Sequence, residues 1–376
     1  MSTRGSLAAL ARAAAGSLQV DLPTWAPDAS APGSTGVSIG DLPPARHVVV
    51  CLIDGLGWQQ LIEHRDLAPA LADGVGAPIH TVFPSTTAAA LGSLGTGLLP
   101  GSHGMVGMAF RLPETGSVLH PLHWGEEPLP VMVQPGPTMF EALQAAGVRT
   151  TTVAPAAYSA SGLTRAVLRG PAYVPAQTVD ERVAALAELL RQPSPSFTYV
   201  YWPDLDRLGH QHGIDSEQWR DGLGRVDALI AGLRSVLTAD TLLLVTADHG
   251  MVTCPAAERI TIDDYPDLLA DVTCIAGEPR ARHVYLAADR AAAACARWRA
   301  VLGERASVLT RAEVVASGLI GTVEPGIDER IGDLVVVPNG SATLASSVDP
   351  RASGLLGQHG GWSPAEQLIP LLHFLG

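Results

Sequence analysis

His47-Val48-Val49-Val50-Cys51-Leu52-Ile53-Asp54-Gly55-Leu56-Gly57 is the stretch on which the fold turns. From Val48 to Ile53 every residue is apolar, and most are β-branched. A strand with one wet face would alternate apolar and polar residues. A continuous run is a strand covered on both faces, as in a parallel sheet. The run ends on a carboxylate, Asp54, followed by glycine. Similar apolar runs occur at 150–153, 197–201 and 241–246, with helical patterns at 139–146, 179–190 and 219–237 between or after them. Strands alternating with helices predict an α/β fold with a mostly parallel central sheet flanked by helices. In such a sheet ligands bind beyond the carboxyl ends of the strands. The residues just after each strand are therefore the ones to examine.

The remainder of the chain sets the bounds. Its 376 residues carry a net charge of −13, and all 24 basic residues are arginine. A chain without lysine has no P-loop lysine, no kinase strand lysine and no Schiff-base lysine. The acidic balance disfavours a nucleic-acid groove. No run of about 20 apolar residues is present, so no membrane span is expected. Arg12 interrupts the apolar N-terminal run, which argues against a signal peptide and for a cytoplasmic protein. The four cysteines, Cys51, Cys254, Cys274 and Cys295, lack metal-site spacing and read as small buried residues. Residues 1–45 read as a helical lead and a connector, and 46–376 as the body that carries the α/β pattern. Within it, 255–330 reads as a small α+β cap, with a strand at 280–286 and helices at 291–302 and 311–317. Another buried-strand pattern follows at 334–337.

Three strand ends carry carboxylate or imidazole. Asp54 follows the first run, and Asp248-His249-Gly250 follows the run ending at Thr246. Asp206 and His210 follow the run ending at Tyr201, and their spacing of four puts them on one helix face. His359 lies late in the chain in the glycine-rich turn Gly357-Gln358-His359-Gly360-Gly361. Oxygen and imidazole donors together suit Zn²⁺, with Mn²⁺ or iron as alternatives. Taken singly, these residues read as helix caps, surface pairs or loop positions. Their joint occurrence at strand ends favours a site. In Phe83-Pro84-Ser85-Thr86-Thr87 three hydroxyl residues precede an Ala/Leu helix. They are either an N-cap cluster or a nucleophile placed where a helix N-terminus favours an anion. A threonine hydroxyl needs activation, and metal coordination is one route. Gln60 occupies the third glycine position of a dinucleotide-binding loop, and no nucleophile-elbow GxSxG occurs.

Taken in order, these motifs resemble the alkaline phosphatase superfamily. They are most similar to its type I phosphodiesterase/nucleotide pyrophosphatase branch, over roughly residues 46–376. The resemblance implies an alkaline-phosphatase-like fold and two divalent metal ions, Zn²⁺ or alternatively Mn²⁺. By position, Asp206, His210 and His359 would hold one metal. Asp54, Asp248, His249 and the Thr87 oxygen would hold the other. Thr87 would be the nucleophile, attacking phosphorus to form a phospho-threonine intermediate. The implied substrate is a small nucleotide-like phosphodiester or pyrophosphate, with a phosphomonoesterase or phosphomutase of the same superfamily as the alternative. His103 also matches but reads as structural, and His212 as a neighbour. Ala90, three residues after Thr87, offers no donor to a phosphate oxygen, so Arg111, Arg280 and Arg282 are the candidates for that task. Trp124 is a candidate stacking surface.

Overall fold

The computed structural model describes residues 5–22, 39 and 42–376. Its centre is a seven-stranded sheet. In chain order the strands are β1 (His47–Ile53), β2 (Val75–His80), β3 (Arg149–Ala154), β4 (Ala172–Pro175), β5 (Ser196–Trp202), β6 (Thr241–Thr246) and β7 (Leu368–Leu375). The spatial order is β2-β7-β6-β1-β5-β3-β4. The five strands from β6 to β4 are mutually parallel. β7 runs antiparallel to both β6 and β2.

β1 lies in the middle, with Val50 opposite Tyr199 on one side and Leu244 on the other. All seven of its residues are buried, which is why its sequence does not alternate. Because β1, β5 and β6 are parallel and in step, Asp54, Asp206 and Asp248 emerge on the same edge.

Helices cover the sheet in two groups. Leu7–Gly16, Thr87–Thr96, Met139–Ala145 and Gly162–Val167 pack together. Val179–Leu190, Asp204–His212 and Glu217–Ser235 form the second group. The N-terminal helix belongs to the body of the protein: Leu7, Leu10, Ala11, Ala14 and Ala15 are all fully buried in the main core.

A second antiparallel sheet has the order Val272–Glu278, Ala281–Leu286, Leu334–Pro338, Ala306–Thr310. It is built over its own core around Trp298, Val284 and Leu344. Leu334–Pro338 sits inside this sheet, so the segment extends past residue 330.

Candidate functional site

Each side chain singled out at a strand end arrives at one place. Gly55 explains how closely. It has φ +75°, and a Cβ there would meet the Asp206 Cα at 2.9 Å. Only glycine lets the turn after β1 approach the helix that follows β5 so tightly. That helix, Asp204–His212, carries both Asp206 and His210.

Each of the three carboxylates keeps one oxygen without a partner. Gly55 N and His249 N donate to Asp248 Oδ1 at 3.1 and 3.0 Å, while Asp248 Oδ2 has no partner. The Tyr201 hydroxyl donates to Asp54 Oδ2, while Asp54 Oδ1 has none. Asp206 Oδ1 is also unpartnered. Buried polar atoms are nearly always paired, so three orphan oxygens on one edge mark a place for a ligand.

The three imidazoles are oriented alike. Nδ1 of His210 lies 2.7 Å from Gly357 O, that of His249 3.1 Å from Gly250 O, and that of His359 2.9 Å from Ser85 O. A carbonyl at Nδ1 holds the proton there and leaves Nε2 as a free donor pair, the arrangement typical of metal-ligating histidine. His249 Nε2 stands 3.3 Å from Asp248 Oδ2 and 3.5 Å from Asp54 Oδ1. His210 Nε2 is 3.4 Å from Asp206 Oδ2, and His359 Nε2 is 3.9 Å from Asp206 Oδ1. The His249 and His359 rings stack with centroids 3.6 Å apart.

Among the described residues two clusters have donor atoms within 4.8 Å of one another: Asp206/His210/His359 and Asp54/Asp206/His249. Asp206 belongs to both. Asp248 reaches the second cluster through its approach to His249.

The electrostatics agree. Burial, then the neighbouring Asp248 and Asp206, push the Asp54 carboxyl well above the usual range. Burial, then His249 and His210, push His359 well below the usual imidazole value. Like groups are held together with no opposite charge between them, and a divalent cation would relieve that conflict.

Thr87 is the first residue of the helix Thr87–Thr96. Thr86 before it is extended and makes no side-chain cap, so the first-turn N–H groups are not occupied by it. Thr87 Oγ1 lies 3.2 Å from His249 Nε2. The hydroxyl therefore faces the cluster of Asp54 and His249.

The other candidates lie elsewhere. His103 Nε2 is 3.0 Å from Ser93 Oγ, its Nδ1 accepts from Met105 N, and burial pushes it down to about 3. His212 is exposed. Arg280 forms a two-bond pair with Glu366, and Arg282 one with Asp349. Arg111 lies over the Tyr285 ring. All three tie the smaller sheet to its surroundings and none lines the pocket beside Thr87. Trp124 donates to Pro128 O and packs over Gly162, so its ring is not free to stack on a ligand.

Two residues escaped the sequence reading. Tyr201 holds Asp54, and its signal was present: Tyr199-Val200-Tyr201 places two phenols on one strand face. Glu278, from the smaller sheet, brings Oε2 to 4.0 Å from His359 Nδ1 and is pushed well up by burial. It lies 81 positions before His359, and no local pattern reveals that contact.

A cavity of about 500 Å³ opens from Asp54, Thr87 and Asp206. Its walls include Leu91, Tyr173 and Tyr201.

Comparison with known proteins follows the same lines. The family model described as Type I phosphodiesterase / nucleotide pyrophosphatase matches residues 48–362. Human ectonucleotide pyrophosphatase/phosphodiesterase family member 5 is 33% identical over 94 residues, which are 23% of this chain and 20% of that protein. The solved murine ectonucleotide pyrophosphatase/phosphodiesterase 5 superposes with a TM-score of 0.69 at 20% identity, over 86% of this chain and 87% of that one. The murine protein is also known as an inactive threonine-to-alanine variant in complex with AMP. Phosphonoacetate hydrolase from Sinorhizobium meliloti, solved with phosphonoformate, has a TM-score of 0.68 at 22% identity, over 88% of this chain and 90% of that one. At these identities the structural likeness speaks for the fold.

Proposed function

This chain belongs to the type I phosphodiesterase/nucleotide pyrophosphatase family, a family of hydrolases, and from that premise we propose a two-metal phosphohydrolase that cleaves small phosphodiesters or pyrophosphates through Thr87. One observation carries the reading. Three orphan carboxylate oxygens and three imidazole Nε2 atoms converge beside Thr87 Oγ1. This donor set fits borderline-hard divalent cations such as Zn²⁺ or Mn²⁺.

Asp206, His210 and His359 would hold one cation. Asp54, Asp248, His249 and Thr87 would hold the other. When bound, two divalent cations supply the positive charge that acidifies a hydroxyl and neutralises a phosphate. Three carboxylates bring −3 to the site, and the alkoxide of Thr87 brings one more.

The chain's own groups do the rest. Thr87 Oγ1 forms the new P–O bond as the ester oxygen leaves, giving phospho-threonine. Its proton passes to solvent at the open side of the pocket. Water then attacks the same phosphorus and restores Thr87. The N–H groups at the start of Thr87–Thr96, left without a side-chain cap, are available to phosphate oxygens, which suits a chain without lysine. Tyr201 fixes Asp54, and the three carbonyls fix the imidazoles. The murine relative is described as inactive when one of its threonines is alanine, which accords with a threonine nucleophile. A cytoplasmic setting is part of the proposal, and four free thiols suit it. Among the described residues no helix is long and apolar enough to cross a membrane.

The test is hydrolysis of bis-p-nitrophenyl phosphate beside p-nitrophenyl phosphate, with and without chelator. Chelation should abolish turnover, Zn²⁺ or Mn²⁺ should restore it, and the diester should be cleaved faster. A monoester preference would move the protein to the phosphomonoesterase or phosphomutase reading. Turnover that survives complete metal removal would sink both.

A further inference from the structure

The pocket beside Thr87 has an inner wall formed by side chains of β3, β4 and β5. Thr152 on β3 is in register with Tyr173 on β4 and with Tyr199 on β5. All three side chains therefore leave the sheet on one face. Tyr201, two residues beyond Tyr199, shares that face, and the two phenol rings stack with centroids 6.3 Å apart.

The hydroxyls on this wall are of two kinds. The Tyr173 hydroxyl donates to Pro155 O at 2.8 Å, and that of Tyr201 donates to Asp54. Tyr199 OH and Thr152 Oγ1 have no partner at all. Yet Tyr199 is only 2% exposed and Thr152 only 3%, and both line the cavity. Leaving a buried hydroxyl unpaired costs about 1–3 kcal/mol. Phenylalanine and valine would fill the same space without that cost. Two orphan hydroxyls on one wall of a pocket are better suited to a ligand than to the fold.

The surroundings narrow what that ligand is. Leu163 and Leu168 are apolar walls. Arg207 is the cationic group lining the cavity, and it is engaged with Asp204. Burial holds the Tyr199 phenol in its neutral form. A second anionic group would find no counter-charge on the inner wall.

We infer that Tyr199 and Thr152 form a specificity subsite for a neutral hydroxyl or carbonyl borne on a flat ring of the substrate's ester group. The inference rests on the hydrolase reading above and names the substrate class for the same site. The ring lies among Tyr201, Leu163 and Leu168, and its polar substituent reaches the two hydroxyls.

Two p-nitrophenyl diesters test it, their second ester group being 4-(hydroxymethyl)phenyl in one and 4-ethylphenyl in the other. These differ only in exchanging a hydroxyl for a methyl. The native enzyme should favour the hydroxyl ester in kcat/KM by roughly 10–100-fold, as expected for a site with hydrogen-bonding groups to satisfy. Tyr199→Phe and Thr152→Val should each reduce that ratio about tenfold. A native ratio near one, or variants that slow both esters equally, would overturn the subsite and leave the hydrolase reading intact. Calorimetric binding of 4-(hydroxymethyl)phenyl phosphate against 4-ethylphenyl phosphate gives a reading free of turnover. If neither diester is cleaved but Tyr199→Phe erases a binding preference, the subsite stands and the hydrolase reading falls. Thermal melting closes the argument: Tyr199→Phe should melt at or above the native temperature. A clear loss would show that the fold itself uses the hydroxyl, and would overturn the inference.

Discussion

Arg280 and Glu366 are buried as deeply as Asp54 and Asp248, but the two groups of charge are built on opposite plans. In the first, every charge meets its opposite. Arg280 Nε and Nη2 donate to Glu366 at 3.0 and 2.7 Å, and Nη1 donates to Ala342 O. Glu366 also accepts from Gly361 N. In the second, carboxylate faces carboxylate, and Asp54, Asp206 and Asp248 each keep one oxygen unpartnered. Both groups adjoin the same glycine-rich turn, since Gly361 lies two residues after His359. The paired charges join the smaller sheet to the C-terminal segment. The unpaired ones are arranged to receive a cation. Buried charge thus serves structure where it is complete and chemistry where it is not.

The contrast breaks most sharply at Thr87. Thr87→Ala should reduce turnover by at least about 10³-fold, as loss of a nucleophile does. Its metal content by elemental analysis and its melting temperature should stay near native. A variant that keeps most of its activity would remove Thr87 from the mechanism.

Arg280→Ala tests the paired side. It strands Glu366 in the interior and should cost about 3–5 kcal/mol in urea unfolding. A loss below about 1 kcal/mol, the range of exposed pairs, would mean that the pair is not buried as described.

Gly55→Ala is subtler. The added methyl pushes on Asp206, which both clusters share. Metal affinity should fall about 10–100-fold, the usual effect of disturbing a ligand's support. Unchanged affinity would show that the turn can yield without moving Asp206.

The smallest effect concerns pH. Burial lowers His103 to about 3 and His283 to about 4. Both are neutral in the fold but charge near pH 6.5 when unfolded. Between those values the unfolded chain binds more protons, so stability rises with pH. It should be fully present above about 6.5 and be lost as pH falls toward 4. His103→Gln should flatten that slope by about one proton. An unchanged slope would mean that His103 charges within the fold.

Much of this was legible in the sequence because it is local. The run from Val48 to Ile53 announces a doubly covered strand, and Asp206 and His210 announce one helix face. Parallel strands then bring the ends of β1, β5 and β6 together without further information. β7 was not legible. Leu368–Leu375 joins the sheet antiparallel beside β6, a choice set by tertiary pairing rather than by its own pattern. The roles of Arg280, Arg282 and Glu278 were hidden for the same reason. Arg280 finds its partner 86 residues away. Tyr199 and Thr152 looked like ordinary strand residues until the sheet placed them side by side over a pocket.

Stereochemistry at phosphorus is the most direct test of the central claim. A diester made chiral by sulfur substitution and hydrolysed in isotopically labelled water reports how many displacements occur. Attack by Thr87 followed by attack of water gives two inversions, so the account predicts net retention. Net inversion would show that water attacks the substrate in one step, and would contradict a phospho-threonine intermediate on Thr87.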